Sequence, residues 1–126
     1  MRQVISTPKA PQPVGTYSQA IVVGENVYIA GQIALIPESL EMNNASIEDE
    51  VKQVLENLSA ISVAAGGNLN AICSLTVYVT NIEYITAVNE AMTNYLNEPY
   101  PARAVIQVSA LPRSARVEIS AIMYLV

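Results

Sequence analysis

Apolar residues recur at helical spacing in two parts of this 126-residue chain. The first stripe runs through residues 47–65 and follows Ser46, which has the N-cap position of a capping box. Gly66 and Gly67 then supply the residue type at which helices commonly end. The pattern predicts a helix over residues 47–65, with one apolar face that packs against other elements.

A second apolar stripe predicts another helix later in the chain. This helix begins near Asn81 and ends before Pro99, because a proline restricts the preceding residue to extended conformations. The other side of the segment is mostly polar, which is typical of a helix at a protein surface. The stripe consists of Ile85, Val88, Met92 and Leu96.

Strands are predicted where β-prone residues cluster in the first third of the chain. Residues 18–23 and 27–32 flank a Gly-Glu-Asn turn, so a hairpin is the simplest interpretation. The proline-rich residues 8–14 before the hairpin predict an irregular arm. Residues 37–44 after it predict a surface loop.

A central strand is predicted over residues 73–80, where the hydrophobic period shortens to two. Polar side chains occupy the alternate positions, so the two faces of this strand differ. Cys73 begins the apolar alternation, and we therefore expect its thiol in the core. The apolar positions are Cys73, Leu75, Val77 and Val79.

Two final strands are predicted over residues 104–109 and 116–125, on either side of the turn-forming residues 111–114. Alternate residues of the last strand, from Val117 to Met123, are apolar and share one face. Glu118 lies on the other face with Ile122 and Tyr124, so one carboxylate sits among apolar neighbours.

The resulting order is β-β-α-β-α-β-β, an α+β arrangement in one domain over residues 1–126. Two amphipathic helices cannot cover both faces of a sheet this apolar. We therefore expect both helices on one face of a mixed sheet and partner subunits on the other. Composition agrees, because 52% of residues are hydrophobic and 13% are charged, against about 25% charged in ordinary globular proteins.

Composition also removes several kinds of chemistry. The chain has no histidine and a single cysteine, which excludes disulfides, ordinary zinc sites and Ser-His or Cys-His nucleophile pairs. A net charge of −5 disfavours general nucleic-acid binding. No apolar run has membrane-spanning length and no secretory signal is evident, so we expect a cytoplasmic protein without membrane contact.

Four short segments carry the candidate chemistry: residues 15–20 (GTYSQA), 30–33 (AGQI), 101–104 (PARA) and 117–122 (VEISAI). In this order and spacing they resemble the Rid, or YjgF-type, family of reactive-intermediate deaminases along nearly the whole chain. The resemblance implies a chorismate-mutase-like fold and a homotrimer with clefts between adjacent subunits. It also implies cofactor-free hydrolysis of 2-aminoacrylate, 2-iminobutanoate and related 2-imino acids to 2-keto acids and ammonia.

The same resemblance assigns roles to particular residues. Arg103 matches an arginine that binds the substrate carboxylate through its planar guanidinium, and Glu118 matches a glutamate that holds or activates water. The chain departs from the family at Ala30, where relatives usually have serine, and at Val105, where they often have cysteine. The positions matched to substrate binding are Tyr17, Gly31, Ile33, Asn89 and Val105.

Other interpretations stay open at this point. Arg103 taken alone is equally well explained as a surface ion pair or subunit contact, and Glu118 as a solubilising charge. Arg113 and Arg116 are interpreted as solvated residues beside a turn. Two further functions are a trimer that binds 2-keto acids or a partner without turnover, and an endoribonuclease. The acidic charge and the missing histidines disfavour the latter.

Overall fold

The computed structural model describes residues 1–126 and contains one six-stranded sheet with two α-helices. The helices are α1, Ile47–Ala64, and α2, Ile85–Tyr95. The strands are β1, Arg2–Ile5; β2, Ala20–Val23; β3, Asn26–Gln32; β4, Ile72–Val79; β5, Ala102–Gln107; and β6, Val117–Tyr124.

The sheet has the strand order β1-β2-β3-β6-β4-β5. Strands β4 and β5 are parallel and are connected through α2, while all other neighbouring strands are antiparallel. Both helices pack on the same face of the sheet, where they share one hydrophobic core with β3, β4 and β6. The predicted α+β class, the mixed sheet and the placement of both helices on one face are confirmed.

Helix α1 begins and ends where the sequence predicts, to within a residue. The Ser46 side chain accepts a hydrogen bond of 3.0 Å from the backbone N–H of Asp49, which caps the first turn. Gly66 follows the helix with a φ of 104°, a conformation that glycine adopts without the steric cost of a Cβ. The stripe that packs on the sheet is Val51, Val54, Leu55, Leu58 and Ile61.

Helix α2 is preceded by a 3-10 turn, Ile82–Tyr84, which Asn81 caps by accepting the N–H of Glu83. Strand β5 begins at Ala102, two residues earlier than predicted. The proline-bounded sequence before it obscured this start. The shift has a consequence for the site, because it places Arg103 inside an edge strand with a fixed direction for its side chain.

Strand β1 was not predicted. It pairs antiparallel with β2, with Arg2 opposite Val23 and Ile5 opposite Ala20, and forms the edge of the sheet opposite to β5. Its four residues are largely exposed and have no clear alternation. A periodic signal is therefore absent, and only the pairing with β2 defines the strand.

The prediction that Cys73 lies in the core is wrong, because its side chain is exposed. A β-bulge between Ile72 and Ser74 inserts Cys73 as an extra residue opposite β6. The bulge changes the phase of the alternation, so the buried positions are Ile72 and then Leu75. The thiol lies 3.3 Å from the carbonyl oxygen of Ile122, to which it donates.

The helices cover only one of the two faces of the sheet. One face contributes residues such as Val77, Ile119 and Met123 to the core beneath the helices, all fully buried. The other, which we call the open face, has no helix over it and exposes large apolar side chains. These are Val23, Tyr28, Ile106, Ile122 and Tyr124, each 37–47% exposed. Neither helix is long and apolar enough to cross a membrane.

Candidate functional site

Arg103 lies on the helix-covered face of the sheet, at its β5 edge. It is in register with Leu75 of the parallel strand β4, whose side chain is buried in the core. Its Nη1 atom donates a 2.7 Å hydrogen bond to Oδ1 of Asn89 and also lies 3.7 Å from Sδ of Met92, both on α2. No carboxylate pairs with Arg103, since the one ion pair of the chain joins Arg116 to Glu50.

A pocket of about 400 Å³ opens beside Arg103, between α2 and the start of β5. Its lining combines apolar side chains with the polar residues Asn89 and Thr93 and the positively charged Arg103. A pocket with one directed cation and apolar walls suits a small organic acid. The lining residues are Leu75, Asn89, Met92, Thr93, Leu96, Tyr100, Pro101 and Arg103.

Glu118 lies on the open face. It sits between the buried residues Val117 and Ile119 and is in register with Tyr78 of β4. Its carboxylate is half-buried, and this burial raises the pKa of Glu118 above the ordinary value for a glutamate. The pKa rises because desolvation disfavours the charged form of the carboxyl group. A raised pKa brings the carboxyl closer to the range in which general bases work best.

Gly31 makes room for this carboxylate. A Cβ added at Gly31 would lie 2.3 Å from Oε2 of Glu118, closer than real Cβ contacts allow. Ile29 pairs with Ala121 and Gln32 with Ile119, so two residues of β3 face a single residue of β6. This is a β-bulge, and bulges redirect side chains and backbone next to functional sites. The predicted residues Gly31 and Glu118 are therefore in direct contact.

Tyr17 lies just before β2, which pairs with β3, and Ile33 follows the last residue of β3. Tyr17 is 48% exposed, and its hydroxyl lies 3.4 Å from the backbone N–H of Val14, from which it accepts a hydrogen bond. Two residues later, the carbonyl of Gln19 accepts a 2.9 Å hydrogen bond from the N–H of Ala30. Ile33 is half-buried two residues beyond Gly31.

The predicted site residues therefore fall into two groups on different parts of one protomer. The Glu118 group consists of Tyr17, Gly31, Ile33 and Glu118. The Arg103 group consists of Asn89, Arg103 and Val105. Strand spacing places the Cα atoms of Arg103 and Glu118 roughly 14 Å apart, and their side chains leave opposite faces of the sheet. One protomer alone does not bring the arginine and the carboxylate together.

Val105 follows Arg103 on the same face of β5. It is in register with Val77 and packs against the edge of the core, half-buried. Its side chain therefore supports the strand that carries Arg103. Val105 is not among the residues that line the pocket beside Arg103.

Two supporting residues were not predicted from the sequence. Gln19 is buried and ties the N-terminal arm to β2, because its side-chain amide bonds to the backbone of Thr7, Ala10 and Pro11. Asn57 of α1 donates to the carbonyls of Ile33 and Leu35 at 3.2 and 2.9 Å. The burial of Asn57 could have been predicted from its position, because it lies on the apolar stripe of α1. Gln19 lies in the GTYSQA segment but gives no periodic signal of its own.

The interpretation of Arg116 as a solvated residue is wrong. Its Nε atom donates to Oε1 of Glu50 at 2.7 Å, and its backbone N–H donates to Oε2 of the same carboxylate at 2.7 Å. Glu50 is fully buried. The guanidinium also donates to the carbonyl of Asn44 and lies 6.0 Å from the ring centroid of Tyr84. Arg113 does remain exposed, and it contacts the carbonyl of Leu40.

Comparison with solved structures defines the class of this fold. RidA from the Antarctic bacterium Psychrobacter sp. PAMC 21119 superimposes with a TM-score of 0.94 at 46% sequence identity, covering 98% of this chain and 99% of that one. The structure of E. coli TdcF with bound serine has a TM-score of 0.91 at 32% identity and covers 98% and 99% of the two chains. The fold is that of the Rid proteins.

Sequence comparison agrees. The sequence model of the family described as Endoribonuclease L-PSP, also known as the YjgF or Rid family, matches residues 7–125. This chain belongs to that family. A RutC family protein of Pyrococcus horikoshii is 44% identical over 124 residues, covering 98% of both chains. A 2-iminobutanoate/2-iminopropanoate deaminase of Homo sapiens is 41% identical over 122 residues, covering 97% of this chain and 89% of the relative.

Proposed function

We propose that this protein hydrolyses 2-imino acids, such as 2-iminobutanoate and 2-iminopropanoate, to 2-keto acids and ammonia. The observation that carries the proposal is Arg103, whose guanidinium is held by a neutral amide and pairs with no carboxylate of its own chain. A cation without a protein counter-ion beside an apolar pocket has the chemistry to bind the carboxylate of a small acid. Relatives at 38–44% identity carry this deaminase name.

The bound serine of TdcF supports the same ligand class, because serine is a small α-substituted carboxylic acid. In this chain, Arg103 would hold the carboxylate bidentately and so fix the position of C2 and its imine nitrogen. The apolar walls of the pocket exclude water from the other side of the substrate. Such exclusion strengthens the charge interaction.

Glu118 would act on water. Its carboxylate accepts a proton from water as the water oxygen forms a bond to C2, and it passes that proton to the imine nitrogen, which gives a neutral carbinolamine. Glu118 then accepts the proton of the carbinolamine hydroxyl and donates it to the same nitrogen. The C2–N bond breaks, the C2 oxygen becomes the ketone, and ammonia leaves. Water and substrate supply every atom, and the step needs no oxidant, reductant or covalent intermediate.

The separation of Arg103 and Glu118 implies that a complete site combines two protomers. We propose a homotrimer in which the β5 edge of one subunit meets the bulge around Gly31 on the next, with Tyr17 closing the cleft. The exposed apolar side chains of the open face supply an interface of suitable character. Sedimentation at micromolar concentration tests this assembly, and a stable monomer would count against it.

Turnover by Arg103 variants tests the function directly. Ammonia and keto-acid release from freshly generated 2-iminobutanoate is compared for the parent, Arg103→Lys and Arg103→Ala. We expect Arg103→Ala to lose about 2 to 5 kcal/mol of binding, or roughly 30- to 5,000-fold, because the carboxylate loses its counter-charge. Arg103→Lys should fall between, since an ammonium lacks the planar fork.

The matched control is Arg113→Ala, which removes the same charge from an exposed turn that does not line the pocket and should leave turnover unchanged. The oligomeric state is measured for each variant. Turnover by Arg103→Ala at the parental rate would contradict the proposed role, and with it the assignment of the site.

A further inference from the structure

The contacts of Arg103 with α2 involve only one of its three guanidinium nitrogens. Asn89 and Met92 lie three residues apart on α2 and therefore face the same direction. Both accept from Nη1, at 2.7 Å to Oδ1 of Asn89 and 3.7 Å to Sδ of Met92. Nη1 carries two hydrogens, and α2 offers one acceptor for each of them.

We propose that Asn89 and Met92 are positioning residues that orient Arg103 so that its Nε and Nη2 atoms form the edge that binds the substrate carboxylate. The inference rests on the proposed function and revises the sequence-based role of Asn89, which assigned it to the substrate itself. With Nη1 turned to the helix, the remaining parallel pair of N–H groups is the Nε–Nη2 fork. That fork matches the spacing of two carboxylate oxygens.

The neutrality of both acceptors matters. A carboxylate at position 89 would hold Arg103 equally well but would neutralise it, as Glu50 does for Arg116. An amide oxygen and a thioether sulfur fix the direction of the guanidinium and leave its positive charge for the ligand. Arginine has many rotamers, and ordering them before binding removes an entropic cost from the binding step.

The helix gives these two acceptors a fixed place. Met92 is 6% exposed and belongs to the hydrophobic core, so its sulfur is held by packing. Asn89 is exposed, but its backbone carbonyl accepts a 2.9 Å hydrogen bond from the Thr93 hydroxyl one turn later. A site on a rigid helix holds a catalytic geometry more closely than one on a loop.

A double-mutant cycle tests the positioning role. Binding of 2-oxobutanoate is titrated by NMR, which reaches millimolar dissociation constants and needs no turnover. Asn89→Ala in the parent should weaken binding about three- to tenfold and raise KM more than it lowers kcat. In the Arg103→Ala background the same change should have no further effect, because the residue it positions is gone.

Two additional variants sharpen the result. Asn89→Asp should weaken binding more than Asn89→Ala at neutral pH, because the introduced carboxylate competes with the ligand for Arg103. The loss of binding in Asn89→Asp should become smaller as the pH falls, because the introduced carboxylate is then protonated. Met92→Leu, which preserves volume, should have a smaller effect than Asn89→Ala. Asn94→Ala, the same substitution class elsewhere on α2, should leave binding unchanged.

Failure of this inference differs from failure of the proposed function. If Asn89→Ala weakened binding equally in the Arg103→Ala background, Asn89 would contact the ligand directly and the positioning role would be wrong. Unchanged binding in the parent background would equally overturn it. A parent that neither binds 2-oxobutanoate nor hydrolyses imines would overturn the function instead. Even then, NMR of the Arg103 side chain in the ligand-free parent should show restricted Nη1 rotation that Asn89→Ala releases.

Discussion

The chain contains two arginine–glutamate combinations that the fold treats in opposite ways. Glu50 and Arg116 are 66 residues apart in sequence but share two 2.7 Å contacts, with the carboxylate fully buried. Arg103 and Glu118 are only 15 residues apart, yet they leave opposite faces of the sheet and touch different neighbours. Glu50 and Arg116 therefore neutralise each other within the protomer. Arg103 and Glu118 have no partner of opposite charge within the protomer.

The difference is between charges that the fold pairs internally and charges that remain available to a ligand. Removing either partner of a buried ion pair leaves an uncompensated charge, so Glu50 and Arg116 depend on each other for stability. Glu118 pairs with no cation and has a raised pKa, which means that its ionised form is held at some cost to the fold. Carboxylates of the second kind are typical of active sites.

The largest effect on kcat is expected for Glu118→Gln. The amide keeps the shape of the side chain but cannot transfer a proton, so kcat for imine hydrolysis should fall by about 100-fold or more. Binding of 2-oxobutanoate and the oligomeric state should be retained. Steady-state kinetics and NMR titration measure the two quantities. Parental turnover by this variant would reduce Glu118 to a structural residue.

Next in size is the effect of Arg116→Met on folding. The methionine keeps much of the side-chain length but leaves the buried Glu50 carboxylate with only the backbone N–H of residue 116. We expect a loss of about 2 to 4 kcal/mol in the free energy of unfolding, measured by urea denaturation. Arg103→Met is the control, and its unfolding free energy should stay within about 0.5 kcal/mol of the parent. Equal losses for the two variants would show that the buried pair contributes no more to stability than Arg103 does.

Gly31→Ala should have an intermediate effect that is confined to catalysis. The added Cβ would meet the flexible end of the Glu118 side chain, so the carboxylate moves while the backbone remains. We expect kcat to drop about tenfold, because misplaced groups lose rate steeply. The Glu118→Gln background supplies the control, where Gly31→Ala should cost little more. A parental kcat for Gly31→Ala would show that the position of this carboxylate is unimportant.

The smallest effect concerns pH. Because the pKa of Glu118 is raised in the folded protein, its contribution to stability is greatest at low pH and is lost as the pH rises through that value. Glu118→Gln should therefore be at least as stable as the parent at neutral pH. Turnover should fall as the pH drops through the same raised pKa, and the variant should lack this acid limb. An acid limb unchanged in Glu118→Gln would assign it to another group.

Much of the fold was predictable because its signals are local. The cap at Ser46 and the apolar stripe define α1, and alternation along β6 places Glu118 opposite the core. The phase of β4 was misread at Cys73, because a bulge changes the alternation without leaving a mark in composition. Strand β1 was missed because its partner β2, and not its own pattern, makes it a strand.

The sequence names the candidate site residues but not their arrangement, and the roles of these residues stay predictions. The four motif segments identify Arg103, Glu118 and Gly31, whereas the division between two faces depends on the register of β4, β5 and β6. The ion pair between Glu50 and Arg116 is a long-range contact that no local pattern specifies. Its one local signal is helical spacing, since Glu50 shares the buried stripe of α1 with Val54.

Subunit complementation tests the central claim most directly. Arg103→Ala and Glu118→Gln are each expected to turn over substrate far more slowly than the parent. The two chains are co-refolded in equal amounts, with mixed assemblies verified by native mass spectrometry. If each site takes Arg103 from one subunit and Glu118 from the next, about one site in four regains both residues, so about a quarter of parental turnover should return. Verified mixed trimers that remain inactive would contradict a site shared between subunits.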